Sequence, residues 1–110
     1  MEFEINGSTI ETDKEGYLCD LGNWSEDLAN TLAEREGLAL EKSHWEVISF
    51  LRNGFEQTGT VPNIRQMQKS FTKQFGKEKG NSKYLYGLFP YGPAKQACRI
   101  AGLPKPTGCV

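Results

Sequence analysis

The sequence has few of the residues that build most catalytic and metal centres: one histidine, His44, and three cysteines, Cys19, Cys98 and Cys109. It contains no CxxC, no HExxH and no paired Cys/His spacing, which argues against a zinc site, and no metal or other cofactor is expected. A serine triad is disfavoured as well, because the lone histidine has no GxSxG elbow beside it. Gly76-Lys-Glu-Lys-Gly80-Asn81 lacks the spacing of a phosphate-binding loop, so no nucleotide is assigned to it. Apolar runs fall short of the roughly 18 residues that span a membrane. The start, Met1-Glu-Phe-Glu-Ile5, lacks the basic and apolar regions of a secretory signal. A cytoplasmic protein is expected, and an odd number of cysteines in it points to reduced thiols rather than a disulfide framework.

The 110 residues fit one compact domain. Its net charge of −1 hides a division: residues 1–60 carry thirteen Asp/Glu and four Lys/Arg, whereas residues 61–110 carry nine Lys/Arg and the single Glu78. The second half therefore either attracts an acidic partner or faces the first half in the fold.

Periodicity predicts a mainly α, α+β fold. Glu2–Ile5 and Ser8–Glu11 alternate around Asn6-Gly7, a tight hairpin signal. Gly16 introduces Tyr17-Leu18-Cys19, a short third strand or extended piece in which Cys19 is expected as a small buried hydrophobe. Ser25 caps a helix over 25–36, with Leu28 and Leu32 on its apolar side and Gly37 as its stop. A Ser43/Glu46 capping box opens a second helix over 44–57, with Val47, Ile48, Leu51 and Phe55 on one face. His44 is expected to pack or lie at the surface, and Trp24 and Trp45 to join the core.

Pro62 opens a third helix whose apolar stripe is Ile64, Met67, Phe71 and Phe75. Its other side carries Arg65, Lys69, Lys73 and Lys77 as one cationic ridge at i, i+4 spacing. A flexible connection over 76–81 leads to a short helix around Tyr84–Phe89, and Pro90-Tyr-Gly-Pro93 turns the chain into the last helix. The expected architecture is an orthogonal helical bundle with a helix-turn-helix-like pair, an N-terminal hairpin and a flexible C-terminal arm. The boundaries are 1–97 for the domain and 98–110 for the arm.

The candidate chemistry lies at the end of the chain, Cys98-Arg-Ile-Ala-Gly-Leu-Pro-Lys-Pro-Thr-Gly-Cys109-Val110. Pro93 can start and Gly102 can close a helix holding Cys98 in its last turns. Beyond it, Pro104 and Pro106 disfavour regular structure, which places Cys109 on an extended arm. Eleven residue steps reach at most roughly 35 to 40 Å, so Cys109 can enter a partner's pocket or fold back onto Cys98. The dipole of the last helix opposes a thiolate at Cys98, with Arg99 and Lys95 partly countering it. Lys105 is the nearest cation in sequence to Cys109. Neither thiol is strongly activated on this reading, so Cys109 is expected to be loaded inside a partner's pocket, with Cys98 as the resolving thiol.

The stretches Lys77–Tyr86, Leu88–Cys98 and Ile100–Val110, with Glu15–Leu18 and His44-Trp45, resemble the DsrC/TusE family. These are the gamma subunit of dissimilatory sulfite reductase and the sulfur-relay protein of tRNA 2-thiouridine synthesis. The resemblance implies a helical domain with a hairpin and a C-terminal arm, and a carrier that binds no cofactor. It implies that Cys109 carries sulfur as a persulfide. In the DsrC branch Cys98 closes a disulfide with Cys109, or holds a sulfur atom between the two as a trisulfide; TusE-type members typically keep only the penultimate cysteine. Cys98 is thus DsrC-like, whereas Asn23–Glu26 and Trp45–Val47 are at least as TusE-like. The implied DsrC-type partners are a siroheme-containing sulfite reductase, a membrane-bound complex that reduces the trisulfide, and DsrEFH-like donors. The TusE-type partners are a TusBCD-like donor and a tRNA thiolase. A different class of function, DNA binding, would place the cationic ridge on phosphates and use Gln66 and Gln74 as base readers. It leaves both terminal cysteines unexplained, so direct nucleic-acid binding ranks well below the carrier reading.

Overall fold

A computed structural model of the chain describes residues 2–106. Strands β1 (Glu2–Ile5) and β2 (Ser8–Glu11) pair antiparallel with Ile5 opposite Ser8. The two-residue loop has Asn6 at φ 50° and Gly7 at φ 80°, the doubly left-handed turn that matches strand twist. The piece after the hairpin is an isolated bridge, Thr12 to Leu18, rather than a third strand. There the Asp13 carboxylate accepts from the Glu15 and Tyr17 amides at 2.9 and 3.0 Å. Tyr17 and Leu18 are buried, but Cys19 is exposed, contrary to expectation. The chain turns at once: Asp20 caps a 3-10 turn over Leu21–Asn23, so no strand continues to cover the thiol.

Six helices follow. Helix α1 (Glu26–Arg35) starts at Ser25, whose Oγ accepts from the Leu28 amide, and buries Leu28, Ala29, Leu32 and Ala33. Helix α2 (Lys42–Thr58) starts earlier than its Ser43/Glu46 pattern indicates. His44 provides the reason: its Nδ1 accepts from the Glu41 amide at 3.0 Å. A backbone N–H can only donate, so the proton of the neutral ring sits on Nε2, which donates to the Leu88 carbonyl at 3.0 Å. The buried histidine stands edge-on to Phe89 and ties the start of α2 to Leu88, where the fifth helix ends.

Helix α3 (Ile64–Phe75) is capped by Asn63, two positions inside the range expected from Pro62 at the first turn. Asn63 and Gln66 exchange side-chain and backbone hydrogen bonds at 2.9 and 3.0 Å, a local pairing that sets the start. Gly76, at φ 93°, ends the helix, so Lys77 leaves the cationic ridge and begins α4 (Lys77–Gly80). The stretch read as a flexible connection is therefore a helical turn packed on α3. A Cβ at Gly80 would stand 2.5 Å from the Thr72 Cα, so only glycine permits this backbone contact. Asn81 then caps α5 (Ser82–Leu88), and α6 (Pro93–Ile100) has Pro93 in its first turn.

Helix α6 lies at the centre, touching α1, α2, α3 and α5. Its Ala94, Ala97, Cys98 and Ile100 are buried in one core with Leu28, Val47, Ile48, Leu51, Met67, Phe71, Leu85 and Phe89. Trp24 and Trp45 are partly buried against that core. Among the described residues, no helix is long and apolar enough to cross a membrane.

Candidate functional site

Cys98 sits three positions before the C-cap of α6, Ala101, with 0% of its surface exposed. The helix ends in a double hydrogen bond: the Leu103 amide donates to the Cys98 carbonyl at 2.9 Å and the Gly102 amide to the Arg99 carbonyl at 3.3 Å. This is a Schellman ending, with Gly102 at φ 70° in the left-handed position that the motif requires. It reverses the chain and brings Leu103 back into the core that holds Cys98.

The remaining carbonyls at this end are held from outside the helix. Trp24 Nε1 donates to the Ile100 carbonyl at 3.0 Å, and Arg52 Nη1 donates to the Ala101 carbonyl at 2.7 Å. The Arg52 guanidinium lies 3.7 Å from the centre of the Trp24 ring. The ring in turn covers Gly102, where a Cβ would fall 2.6 Å from the indole Cγ. Glycine therefore serves both backbone conformation and close approach at this position.

A second group of bonds fixes the body of α6. Glu36 receives Arg99 on both carboxylate oxygens, Nε at 2.9 Å and Nη2 at 2.7 Å, and also accepts from Gln96 Nε2 at 3.0 Å. The Gln96 carbonyl oxygen takes the Tyr91 amide at 2.9 Å. The Tyr17 hydroxyl donates to the Lys95 carbonyl at 3.2 Å.

These contacts revise the expected electrostatics of Cys98. Burial pushes its thiol up to about 12, and the Arg99 guanidinium is engaged by Glu36. Lys95 contributes its backbone carbonyl to the site, and Lys105 pairs with Glu15 at 2.8 Å. Cys98 is thus a closed, protonated sulfur. Cys109, the other predicted site residue, lies outside the described residues.

The segment after Cys98 is held more firmly than an arm starting there. Ala101, Gly102, Leu103 and Pro106 are buried, and α6 carries Cys98 within the packed body. Sequence reading missed Trp24, Arg52, Glu36 and Gln96 as contributors to this site. One signal was present: Arg52 interrupts the apolar face of α2, four residues after Ile48 and three before Phe55. A cation within such a stripe calls for a partner at a distance.

Gln66 and Gln74, the candidate base readers, line a cavity of about 580 Å³ between α3 and α2, with Asn53, Gln57 and Ser70. Gln66 is also committed to the cap of α3. Three members of the cationic ridge, Arg65, Lys69 and Lys73, are exposed on α3.

Comparison with known proteins gives the same picture over the full chain. The family model described as DsrC like protein matches residues 4–110. A protein named Sulfurtransferase TusE from Pectobacterium atrosepticum is 56% identical over 107 residues, covering 97% of this chain and 98% of the relative. The NMR structure of DsrC from Allochromatium vinosum superposes with a TM-score of 0.89 at 52% identity, covering all of both chains. The crystal structure of the oxidized gamma-subunit of dissimilatory sulfite reductase (DsrC) from Archaeoglobus fulgidus gives 0.86 at 42% identity, again over all of both. By its family match, its relatives and its fold, the chain belongs to the DsrC-like protein family.

Proposed function

We propose that the protein is a sulfur carrier in which Cys109 takes up sulfur and Cys98 acts second. The observation that carries this reading is likeness over nearly the whole chain to proteins named Sulfurtransferase TusE and to structures of DsrC. The burial of Cys98 supports the order. Its protonated, enclosed thiol is a poor first nucleophile, whereas a thiol eleven residues further on is suited to visit a donor.

In the first step the Cys109 thiolate attacks the outer sulfur of a donor persulfide. The donor sulfur–sulfur bond breaks, the donor leaves as a thiolate, and Cys109 becomes a persulfide. Cys98 then has two courses. Attack on the inner sulfur of that persulfide closes a Cys98–Cys109 disulfide and expels hydrosulfide, with the Cys98 proton released to solvent. Joining Cys98 to the outer sulfur instead makes a trisulfide and sends two electrons and two protons to an external two-electron acceptor.

The presence of Cys98 favours the DsrC-type route, with a DsrEFH-like donor, a siroheme sulfite reductase and a membrane-bound redox complex as partners. A TusE-type relay from a TusBCD-like donor to a tRNA thiolase is the second reading, favoured by the names of the 54–56% identical relatives. Both use Cys109 first.

Intact-mass spectrometry with peptide mapping, after treatment with a persulfide donor, separates these outcomes in the wild type, Cys98→Ser and Cys109→Ser. With the exposed Cys19 replaced by serine throughout, the expected result is one added sulfur on Cys109, none in Cys109→Ser, and a bridge to Cys98 only where both terminal cysteines are present. Loading of Cys109 that never bridges to Cys98 selects the relay reading. No loading in any of the three would reject Cys109 as a stand-alone acceptor.

A further inference from the structure

Cys98 has no exposed surface, so another sulfur reaches it only if something covering it moves. Most of its surroundings are helices of the central core, whose displacement amounts to unfolding. The exception is the strap of Ala101, Gly102 and Leu103, which folds back over the end of α6 outside any helix or strand. Segments outside regular structure are where local opening is least costly. Here the opening is opposed by side chains from two other elements, Trp24 following the 3-10 turn and Arg52 in α2.

We propose that Trp24 and Arg52 are positioning residues forming a latch on the carboxyl end of α6, and that Cys98 meets a second sulfur only when this latch opens. The contacts of the latch are coupled. Lifting the strap breaks the Arg52 bond to the Ala101 carbonyl and removes Gly102 from beneath the indole. A shift of the indole weakens its bond to the Ile100 carbonyl and takes away the surface on which the guanidinium lies. Two partly buried side chains thus share one open state. Arg52 suits this role because its guanidinium bonds the strap carbonyl and lies on the ring at once, with Glu56 acting on it only as a neighbouring charge.

The inference rests on the reading that Cys98 takes part in sulfur chemistry, but the opening is measurable without it. The test uses the full chain with Cys19→Ser and Cys109→Ser, leaving Cys98 as the sole thiol. Native-state alkylation by a small maleimide is followed by mass at neutral pH and in low urea. Variants are Trp24→Phe, which keeps a ring and removes the N–H donor, Arg52→Gln, which removes charge and stack, and Arg52→Lys, which restores charge. Phe75→Ala, at the end of α3, serves as a general destabilisation control. Urea unfolding of each variant gives its global opening constant.

The expected result is alkylation of Cys98 about tenfold faster or more in Trp24→Phe and Arg52→Gln, with a shallow urea dependence characteristic of local opening. Arg52→Lys falls between Arg52→Gln and the parent. Phe75→Ala labels only in proportion to its global unfolding and with the full urea slope. If the latch variants also track global unfolding, or if the parent labels at the rate of an exposed thiol, the latch is overturned. Should Arg52→Gln not fold, Trp24→Phe and Arg52→Lys carry the same comparison. Absence of sulfur loading in the mass experiment bears on the carrier reading and leaves this result intact.

Discussion

At the scale of single residues, two glycines with the same backbone and different neighbours separate conformation from contact. Gly37 and Gly102 lie at φ 76° and 70°, each just past a helix. A Cβ at Gly37 meets nothing within 4 Å, whereas one at Gly102 collides with the Trp24 ring. Gly37→Ala should therefore cost about 1 kcal/mol, the ordinary penalty for a left-handed alanine. Gly102→Ala should cost about 2 to 3 kcal/mol, because it also displaces the indole and strains its bonds. Urea unfolding of the two variants checks the difference; equal losses would mean that the ring yields freely. Cys98 gives a pH prediction. Its folded-state thiol sits near 12 against 9.0 for the ordinary group, so the unfolded chain loses this proton first. Stability should be insensitive to Cys98 below pH 9 and fall from there toward pH 12, by up to about 1.4 kcal/mol per pH unit. Tyr17, raised to about 12 by burial, adds a similar slope above its ordinary value of 10.0. Urea midpoints between pH 8 and 10.5 should show a gentler decline in Cys98→Ala than in the wild type. At this scale the sequence was informative about Cys98, Pro93 and Gly102, whose effects are local. It was silent about Trp24 and Arg52, whose bonds to α6 cross 76 and 49 residues.

At the scale of elements, capping chemistry explains both the successes and the misplacements. Ser25 and Gly37 bracket α1 as their side chain and conformation require. The starts of α2 and α3 moved because Glu41 with His44, and Asn63 with Gln66, form bonds that compete with the more familiar Ser43 and Pro62 signals. The loss of Lys77 from the cationic ridge follows from Gly76 alone. What no periodicity reveals is how elements are tied together, and the Glu36 contacts to α6 make this measurable. Glu36→Ala leaves Arg99 and Gln96 without their shared acceptor, in surroundings where the Arg99 and Glu36 side chains are only 18% and 20% exposed. A loss of about 2 to 4 kcal/mol is expected, as for breaking a largely buried pair. Lys105→Ala removes a pair whose side chains are 45% and 54% exposed, and should cost about 0.5 kcal/mol or less. Chemical denaturation of both variants tests the ranking, and comparable losses would contradict it.

At the scale of the whole molecule, the division of charge along the sequence is folded back on itself. Three ion pairs among the described residues, Glu15 with Lys105, Glu36 with Arg99 and Glu46 with Lys79, each join the acidic first half to the basic second. The sequence showed the imbalance and left open whether it faced inward or toward a partner; these pairs favour the inward answer for the residues they involve. Because the Glu15 pair is well exposed and the Glu46 pair is partly exposed, at 43% for Lys79 and 28% for Glu46, 1 M salt should lower stability by no more than about 1 kcal/mol, while the loss in Glu36→Ala should hardly change with salt. Urea curves at low and high ionic strength decide this, and a large salt effect on Glu36→Ala would place that pair in solvent. The burial of Pro106 has a further consequence. Measured from Cys98, the chain to Cys109 promised a reach of some tens of ångströms; measured from Pro106, three residue steps allow at most about 11 Å. Under the proposed carrier function, a partner whose reactive sulfur lies deeper than that must press against the face around Pro106 and Glu15, or loosen the chain from it, so delivery depth and docking surface become one variable.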